Sequence, residues 1–544
     1  MRLGIDFGTT RIVVASVDRG NYPVVQFETP DGVAEDWFPP LIAVRGDERR
    51  YGWDAWALQG EAEWTVVRSL KRLLREAGPA TRVEIGDQQL SMQLLLDELT
   101  AKLRTDLFER STLRASGKEK LELYLGVPAN ANSNQRFLEV EAFRRNGFAV
   151  QGLLNEPSAA SIEFSHYHRR SSSEQPNGVL LVYDLGGGTF DASLVAMGDR
   201  RHEVLGNEGI GTLGGDDFDG ILADAALDHA DVDNAASDSL TQTQLFRLHE
   251  ECRQKKEAIH PNSRKIVVDL SSARDDWGEV SVPVSSYYEQ CRSLVDETLY
   301  AVTYLLERHG LTAQDGTHSG PEQRLEAVYV VGGGSELPLV PRMLREHFGR
   351  RVRRSAHGRT STAIGLAIQA DTTAGYTVRE RFTRYFGVWR EADQGARIAF
   401  DPLFEKEEVL PAAGEDPVSI ERRYCPVHNI GHFRYLESSA ITEDGQPSGE
   451  ITFWDEILFP FDPSLEDNPD LGALAVHLSE EAARQEVEEA YFCDAGGILT
   501  LTITNQTDGH SRKFRLGKWA GGDKPVRPGR ASHRGVAKAA KAAR

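Results

Sequence analysis

Short apolar runs, each followed by a glycine-rich turn, recur along the first two thirds of the chain. Val179–Tyr183 is a continuous apolar run, and after the turn Phe190–Leu194 alternates apolar and polar positions. This pattern predicts a strand, a tight turn and a second strand. Leu3–Val17 repeats the scheme, and a third glycine turn follows the apolar run Leu325–Val331. The repetition predicts a fold in which similar hairpins are used more than once.

Between these hairpins, apolar residues recur at the helical period. The predicted helices are Trp53–Trp64, Thr65–Glu76, Leu94–Arg110, Gln135–Asn146, Phe218–Asp233, Gln242–Ala258, Tyr287–His309 and Thr360–Ala370. Leu121–Val127 and Val280–Val284 are predicted strands, and His166–Asn177 and Thr312–Glu322 are predicted loops. Strands that alternate with helices predict α/β layers as far as Asp371.

The pattern changes after Asp371. Tyr376–Trp389 is a charged and aromatic connector, and proline-punctuated β patterns follow it. The chain has 544 residues, of which 40% are apolar and 27% charged, enough for two or three globular domains. These features predict an α/β part followed by an all-β part.

Charge and cysteine content narrow the function. The net charge of −21 favours solubility and disfavours a general nucleic-acid role. The first residues, MRLGIDFG, are predicted to form a core strand rather than a signal peptide, and no apolar run is long enough to span a bilayer. The four cysteines are isolated, without a CxxC pair, which disfavours zinc or a disulfide framework and predicts a reducing cytoplasm.

The glycine turns carry the candidate chemistry. Gly186–Gly188 can expose successive N–H groups as an anion site, and Asp184 at its mouth can hold a phosphate-bridging magnesium ion through water. An ordinary glycine-rich hairpin explains one such turn equally well. The second copy, with Asp6 beside Gly8, Thr9 and Thr10, favours two hairpins that clamp a phosphate chain.

Other phosphate-binding patterns do not fit. No Lys-Ser/Thr pair follows spaced glycines as in the Walker pattern, and Gly209-x-Gly211 does not open a helix with a third glycine. The third turn, Gly332–Gly334, follows its own apolar run and precedes Pro338.

The order of the three turns resembles that of the superfamily of sugar kinases, actin and heat-shock-seventy chaperones. Four further segments are similar to the DnaK-like chaperone branch and follow its order. They are Thr65–Leu74 with Lys71, Leu125–Arg136 with Pro128, Leu154–Ser161 with Glu156, and Gly211–Asp219. Near the C-terminus, Asp494–Leu499 is similar to the last strands of that family's peptide-binding β-sandwich.

The resemblance implies a fold and a domain order. We expect an α/β actin-like ATPase domain, duplicated and ribonuclease H-like, over residues 1–371. A linker over 372–390 and a β-sandwich-like substrate-binding domain over 391–516 follow. The basic stretch 517–544 is predicted to be a disordered tail, and the chain offers no room for the family's helical lid.

The resemblance also assigns site residues. Asp6, Glu156 and Asp184 would hold magnesium through water, while Lys71 and Thr189 would orient the phosphate and the attacking water. The residues implied to bind ATP or ADP are Gly8, Thr9, Thr10, Gly186, Gly187, Gly188, Gly214, Gly215, Lys256, His260, Gly332, Gly333 and Gly334. Taken singly, Lys71 fits an exposed helix lysine and Glu156 a helix-start residue, but their motif contexts favour the catalytic interpretation.

The base pocket departs from the family pattern. Arg253 stands where the family has a ribose-binding acid, and His260 where it has a serine. Glu257 and Glu336 replace two arginines that stack on the base. We therefore expect nucleotide binding to persist with a weaker preference between ATP and GTP.

The residues that would couple the two domains also differ from the family pattern. Gly152 replaces a basic residue used in J-domain contact, and Thr377–Phe386 replaces the apolar linker. Burying the linker charges as an added strand requires a partner for each. We therefore expect weak coupling between the domains and doubtful contacts with J-domain proteins and nucleotide exchange factors.

Two functions remain open from the sequence. The first is a divergent ATP-dependent chaperone that hydrolyses ATP with magnesium and binds unfolded polypeptides through the β domain. The alternative is a nucleotide-binding scaffold or regulator with little hydrolysis and a repurposed β domain. A sugar kinase lacks support because the Glu156 and Gly211–Asp219 segments are chaperone-like.

Overall fold

Two α/β units and one all-β unit follow one another along the chain. The computed structural model describes residues 1–77, 81–113, 119–171, 178–311, 324–392, 397–412, 414–454 and 456–515. The predicted tail 517–544 and the predicted loop Thr312–Glu322 lie outside the described residues. Within them, no helix has the length and apolar character needed to cross a membrane.

The first unit is built around a four-stranded sheet. Its elements in chain order are β1 Arg2–Phe7, β2 Ile12–Ser16, β3 Phe27–Glu28, β4 Ala34–Glu35, β5 Ile42–Arg45, β6 Glu48–Tyr51, α1 Trp53–Trp56, β7 Thr65–Val67, α2 Leu70–Leu73, β8 Arg82–Ile85, β9 Gln88–Ser91, α3 Met92–Glu109, β10 Leu121–Val127, α4 Ser133–Arg145, β11 Phe148–Asn155 and α5 Glu156–Ser171. The strand order in this sheet is β11-β10-β1-β2.

The second unit is built around a six-stranded sheet. Its elements are β12 Gly178–Leu185, β13 Phe190–Met197, β14 Arg201–Ile210, α6 Gly215–His229, α7 Asn234–Asp238, α8 Gln242–Glu257, β15 Lys265–Asp269, β16 Glu279–Pro283, α9 Val284–Arg308, β17 Leu325–Val331, α10 Leu339–Phe348, β18 Val352–Arg354, α11 Ser361–Ala370 and β19 Thr377–Arg379. The strand order is β18-β17-β12-β13-β14-β19.

The two sheets share one plan. Strand β1, which carries Asp6, pairs antiparallel with β2 and parallel with β10. Strand β12, which carries Asp184, pairs antiparallel with β13 and parallel with β17. The two aspartates therefore occupy equivalent places, each near the end of a central strand and just before a glycine turn.

Helices α5 and α11 join the two units. A Cβ on Gly365 of α11 would lie 1.9 Å from the carbonyl oxygen of Ala159 in α5. A Cβ on Gly4 of β1 would lie 2.2 Å from the backbone nitrogen of Ala367. Only glycine permits these approaches, so α11 lies directly against both the first sheet and α5.

The third unit is made of strands and short 3₁₀ turns over the described residues. Its strands are β20 Tyr385–Ala392, β21 Arg397–Phe404, β22 Val418–Tyr424, β23 Ile430–Ile441, β24 Pro447–Phe453, β25 Ile457–Pro460, β26 Val487–Cys493, β27 Leu499–Asn505 and β28 Ser511–Arg515. One sheet has the order β21-β20-β23-β24, with β25 also paired to β23, and the other has the order β22-β26-β27-β28. Phe386, Phe404, Tyr435 and Tyr491 are buried in their shared core.

Several sequence-based boundaries differ from the structure. The predicted helix Thr65–Glu76 is a strand followed by the short helix α2, because the β-branched Thr65–Val67 pairs with β5. The predicted helix Trp53–Trp64 ends at Trp56. Helix α5 continues to Ser171, into the stretch His166–Asn177 that we expected to be a loop, while 172–177 lie outside the described residues.

The segment 372–390, interpreted from sequence as a linker, contains two strands. Thr377–Arg379 is the edge strand β19, parallel to β14, and Tyr385–Ala392 is β20 of the third unit. The charges of this segment have partners. Glu380 accepts hydrogen bonds from Asn155, and Arg381 donates to the carbonyl oxygen of Val204. Each linker charge that is buried requires a partner, and Glu380 and Arg381 have such partners.

Polar contacts hold the third unit against the first. Arg75, just beyond α2, forms an ion pair with Glu450 of β24. Ser133, at the start of α4, donates its backbone N–H to Glu437 of β23 at 3.1 Å. Arg384 lies between these two carboxylates, 3.8 Å from Glu437 and 3.4 Å from Glu450. The β unit therefore contacts the segment that carries Lys71.

Candidate nucleotide site

The first two glycine turns face each other at contact distance. A Cβ on Gly187 would lie 2.8 Å from Thr10 Oγ1, and a Cβ on Gly188 would lie 2.7 Å from Thr9 Oγ1. The first helical turn of α6 closes one side, because the N–H groups of Gly215 and Asp216 donate to the carbonyls of Gly186 and Gly187 at 2.9 and 2.7 Å. The residues that define this cleft come from both α/β units.

An open cleft runs along these turns. Most of the residues assigned to the site from sequence line it. They are Asp6, Gly8, Thr9, Thr10, Lys71, Glu156, Asp184, Gly186, Gly187, Thr189, Gly215, Lys256, Gly332, Gly333 and Gly334.

Three of the assigned residues do not line the cleft. A Cβ on Gly214 would lie 2.6 Å from the backbone of Gly188, so these two glycines pack against each other behind the turn. His260 is exposed, in the loop after α8, and its backbone N–H donates to Ser263 Oγ at 3.0 Å. Helix α8 ends at Glu257, which lines the cleft, and His260 lies three residues beyond this end.

One end of the cleft is acidic and contains one lysine. Lys71 Nζ lies 2.7 Å from Glu156 Oε1, and the lysine side chain is only 5% exposed. Glu156 is the first residue of α5 and follows β11 without a loop, so its place is set by the sheet. Asp6 and Asp184 line the same cleft from the two central strands.

Burial changes the acidities at this end. Desolvation, followed by the charge of Glu156, raises the pKa of Asp6 to about 7. The same causes raise the pKa of Asp184 well above its ordinary value. Burial opposes the charge on Lys71, but Glu156, Glu139 and Asp6 outweigh it and raise the pKa of the ammonium group.

Sequence reasoning missed one member of this group. Asp191 on β13 is buried, its carboxylate accepts the backbone N–H of Asn130 at 3.2 Å, and burial raises its pKa to about 7. In the sequence, its alternation with Phe190 and Ala192 predicted only a strand. Strand β13 is buried on both faces. An aspartate inside such a strand was the sequence signal that could have identified Asp191 as a member of this group.

The acidic end suits a hydrated magnesium ion. Asp6, Glu156, Asp184 and Asp191 place four carboxyl groups around one lysine, an excess of negative charge that a divalent cation would offset. Among the described residues, no three His, Cys, Asp or Glu side chains converge closely enough to bind a metal directly. Oxygen donors that hold the ion through water fit the coordination that magnesium prefers.

The sequence model of the Hsp70 protein family matches residues 2–382, which is more than half of the chain. The chain belongs to the Hsp70 family. The match ends at the connector, so the β unit from β20 onward lies beyond it.

Curated relatives agree with this membership. The chain is 30% identical over 385 residues to the chaperone protein HscA homolog of Colwellia psychrerythraea, and 32% identical over 388 residues to the chaperone protein HscA of Serratia proteamaculans. It is 28% identical over 377 residues to the chaperone protein DnaK of Mycoplasma mobile. These matches cover 68–69% of this chain and 58% of each relative. The chain thus spans somewhat over half the length of these chaperones.

The other end of this Hsp70 cleft is lined by charged pairs. Lys256 Nζ lies 2.7 Å from Asp219 and donates to the carbonyl of Gly215 at 2.7 Å. Burial opposes ionisation of Glu257, but Arg11, Arg253 and Arg359 outweigh it and lower the glutamate pKa to about 2. Arg11 and Arg359 line the cleft although sequence reasoning assigned neither to it.

Proposed function

We propose that this Hsp70-family chain hydrolyses ATP to ADP and phosphate with magnesium, and that it works as a chaperone by binding unfolded polypeptide segments through its β unit. One observation supports hydrolysis above all: the buried Lys71–Glu156 pair at 2.7 Å, placed between two facing glycine turns that each carry an aspartate. Relatives named as chaperones support the cellular role. The isolated cysteines remain our reason to place this activity in the cytoplasm.

Phosphoryl transfer to water depends on positioning and on neutralising charge. Asp6, Glu156 and Asp184 would hold a magnesium ion through water, and the bound ion would supply neutralisation of the phosphate charge. Lys71 remains an ammonium group because Glu156 holds it, and it orients the attacking water and the terminal phosphate. Thr189, at the end of the second turn, contributes a hydroxyl near the same phosphate. The turn Gly8–Thr10 and the backbone of Gly186 and Gly187 hold the remaining phosphates.

The alternative is a nucleotide-binding scaffold that hydrolyses slowly or not at all. At the base end of the cleft, Glu257 and Glu336 stand in place of the family's two arginines. This difference favours the scaffold. Phosphate release by the full chain, measured with and without an unfolded protein, separates the two functions. Turnover that requires Lys71 and responds to unfolded protein supports the chaperone, whereas tight nucleotide binding without turnover supports the scaffold.

Coupling between the units is a separate part of the proposal. The docking of β19 on β14, and the partners of Glu380, Arg381 and Arg384, remove the physical reason to expect weak coupling. We therefore propose that nucleotide state changes peptide affinity. Peptide binding to the full chain with ATP and with ADP tests this, and a tenfold or larger difference, about 1.4 kcal/mol, indicates coupling. Equal peptide affinity with ATP and with ADP would indicate weak coupling between the units.

Partner proteins remain a narrower proposal. Gly152, where the family has a basic residue, sits in β11, and a Cβ there would lie 2.7 Å from the ring of Tyr124. A basic side chain is thus excluded unless Tyr124 moves. We propose that a standard J-domain stimulates this chain little, a result that phosphate release with added J-domain protein would test. The same phosphate-release assay with an added nucleotide exchange factor tests whether that partner acts on this chain.

A further inference from the structure

Three arginines and one glutamate meet at the end of the cleft opposite Lys71. Glu257 Oε2 lies 2.8 Å from Arg11 and 3.1 Å from Arg359, and Glu257 Oε1 lies 2.8 Å from Arg253. Arg359 also contacts Glu336, with its Nε 2.7 Å from Glu336 Oε2. If phosphates occupy the glycine turns, the base of the nucleotide must reach this end.

The three arginines differ in what they can offer a base. Arg253 is 10% exposed, its N–H groups are bonded to Glu250 and Glu257, and its guanidinium lies over the ring of Trp56. Arg11 is 16% exposed and lies over the ring of Trp37, 5.1 Å from its centroid. Arg359 is 31% exposed, the most accessible of the three, and has no aromatic ring over it among the described residues.

The plane of Arg359 is fixed at its edges. Glu336 takes one edge and Glu257 the other, and both carboxylates bond along the N–H directions, which lie in the guanidinium plane. Bonding at the edges leaves the faces for stacking. The adjacent wall of the cleft is glycine backbone from Gly333, Gly334 and Gly358, and a Cβ on Gly333 would lie 4.0 Å from Arg359 Cγ. A base in this part of the cleft would lie beside the guanidinium and the glycine backbone.

We infer that Arg359 is the base-stacking residue of this chain and that Glu257 and Glu336 hold its guanidinium in plane. This inference rests on the proposed nucleotide function and adds the residue that contacts the base. The sequence pattern placed glutamates where stacking arginines were expected. The structure supplies the planar cation from the loop before α11 instead, with those glutamates as its supports.

The test compares Arg359→Ala and Arg359→Lys with the unaltered chain by calorimetric titration. The probes are MgATP, MgGTP and magnesium tripolyphosphate, the last of which has no base. We expect R359A to weaken ATP and GTP binding at least fivefold, about 1 kcal/mol, and to leave tripolyphosphate affinity within twofold. R359K, which keeps the charge but loses the plane, should weaken nucleotide binding nearly as much. The control is Arg345→Ala, which removes an exposed guanidinium from α10 outside the cleft.

Three outcomes of this titration would count against the inference. Equal weakening of all three probes by R359A would show that Arg359 acts only through charge on the phosphates, and it overturns the inference. Unchanged nucleotide affinity in R359A also overturns it while leaving the nucleotide site intact. If the unaltered chain binds none of the probes, the nucleotide site itself is wrong and the inference falls with it.

Discussion

Glu380 of the connector holds Asn155, the residue directly before Glu156. The carboxylate accepts the backbone N–H of Asn155 at 3.1 Å and its side-chain amide at 2.7 Å, and both residues are buried. The connection between the α/β units and the β unit therefore reaches a residue next to the proposed catalytic pair.

Replacing Glu380 with alanine should destabilise the chain. The change leaves two buried donors of Asn155 without their acceptor, and an unsatisfied buried donor costs about 1–3 kcal/mol. Denaturant unfolding of the full chain measures the loss, and ATP turnover should fall as well because Glu156 follows Asn155. The matched control is Glu415→Ala, which removes an exposed carboxylate paired with Arg379 and should change stability little. Equal effects of the two variants would contradict a special role for Glu380.

Lys71→Ala should reduce ATP turnover by about 100-fold or more, in the range found when one transition-state contact is removed. The lysine is the only cation paired with Glu156 in the described residues, and it is buried in the cleft. Asp184→Asn should act similarly because it removes one of the charges proposed to hold magnesium.

Single-turnover phosphate release measures the effect of Lys71→Ala, with Lys120→Ala, an exposed lysine on the first unit, as the control. A K71A chain that is folded and keeps full turnover would remove Lys71 from the mechanism. Circular dichroism establishes folding independently of activity.

Thr189→Ala should slow hydrolysis while nucleotide affinity stays within about threefold. The hydroxyl lines the cleft beside the second turn, where the proposed role is at the terminal phosphate, and most binding contacts come from elsewhere. Thr189→Ser keeps the hydroxyl and should restore turnover. If T189A loses affinity and turnover in parallel, Thr189 is a binding residue and has no separate role in the chemical step.

Magnesium should stabilise the chain more at pH 8 than at pH 6. The folded-state pKa values of Asp6 and Asp191, about 7, lie above their ordinary values, so the metal-free protein holds protons there that the unfolded chain has lost. The stability of the metal-free form therefore falls as pH rises from about 4 to 7. Magnesium competes with these protons, so its effect grows as they leave.

Thermal unfolding with and without magnesium at the two pH values measures this effect. The Asp6→Asn, Asp184→Asn double variant should lose most of the magnesium response at both. A magnesium response that is equal at pH 6 and pH 8 would show that these carboxyl groups do not bind the ion.

ATP and GTP should bind within tenfold of each other. Both carboxylate oxygens of Glu257 are already bonded to arginines, so this side chain has little capacity left to accept hydrogen bonds from guanine. Stacking on a guanidinium face tolerates any base. Calorimetric titration with both nucleotides measures the ratio, and a preference of a hundredfold or more would mean that other groups read the base edge.

The sequence anticipated the parts of this structure that are local and repeated. The runs around Asp6 and Asp184, the third turn at Gly332–Gly334 and the order of the motifs all follow from short-range patterns. The sequence did not indicate that Arg359 joins Glu257 at the base end of the cleft. Arg359 lies far along the chain from Glu257, and only folding brings their charges together. Strand β19 was missed for a similar reason, since its charged neighbours find partners on β14 and β11.

The membership of β19 in the six-stranded sheet bears on how the protein can be divided into fragments. A fragment that stops at Asp371 would lack β19 and leave Arg201–Glu203 of β14 as an open edge. Such edges pair readily with other chains, so this fragment should aggregate during purification. A boundary placed after Arg381 keeps both the edge strand and the acceptor for Asn155, and it gives a better isolated α/β fragment for biochemical work.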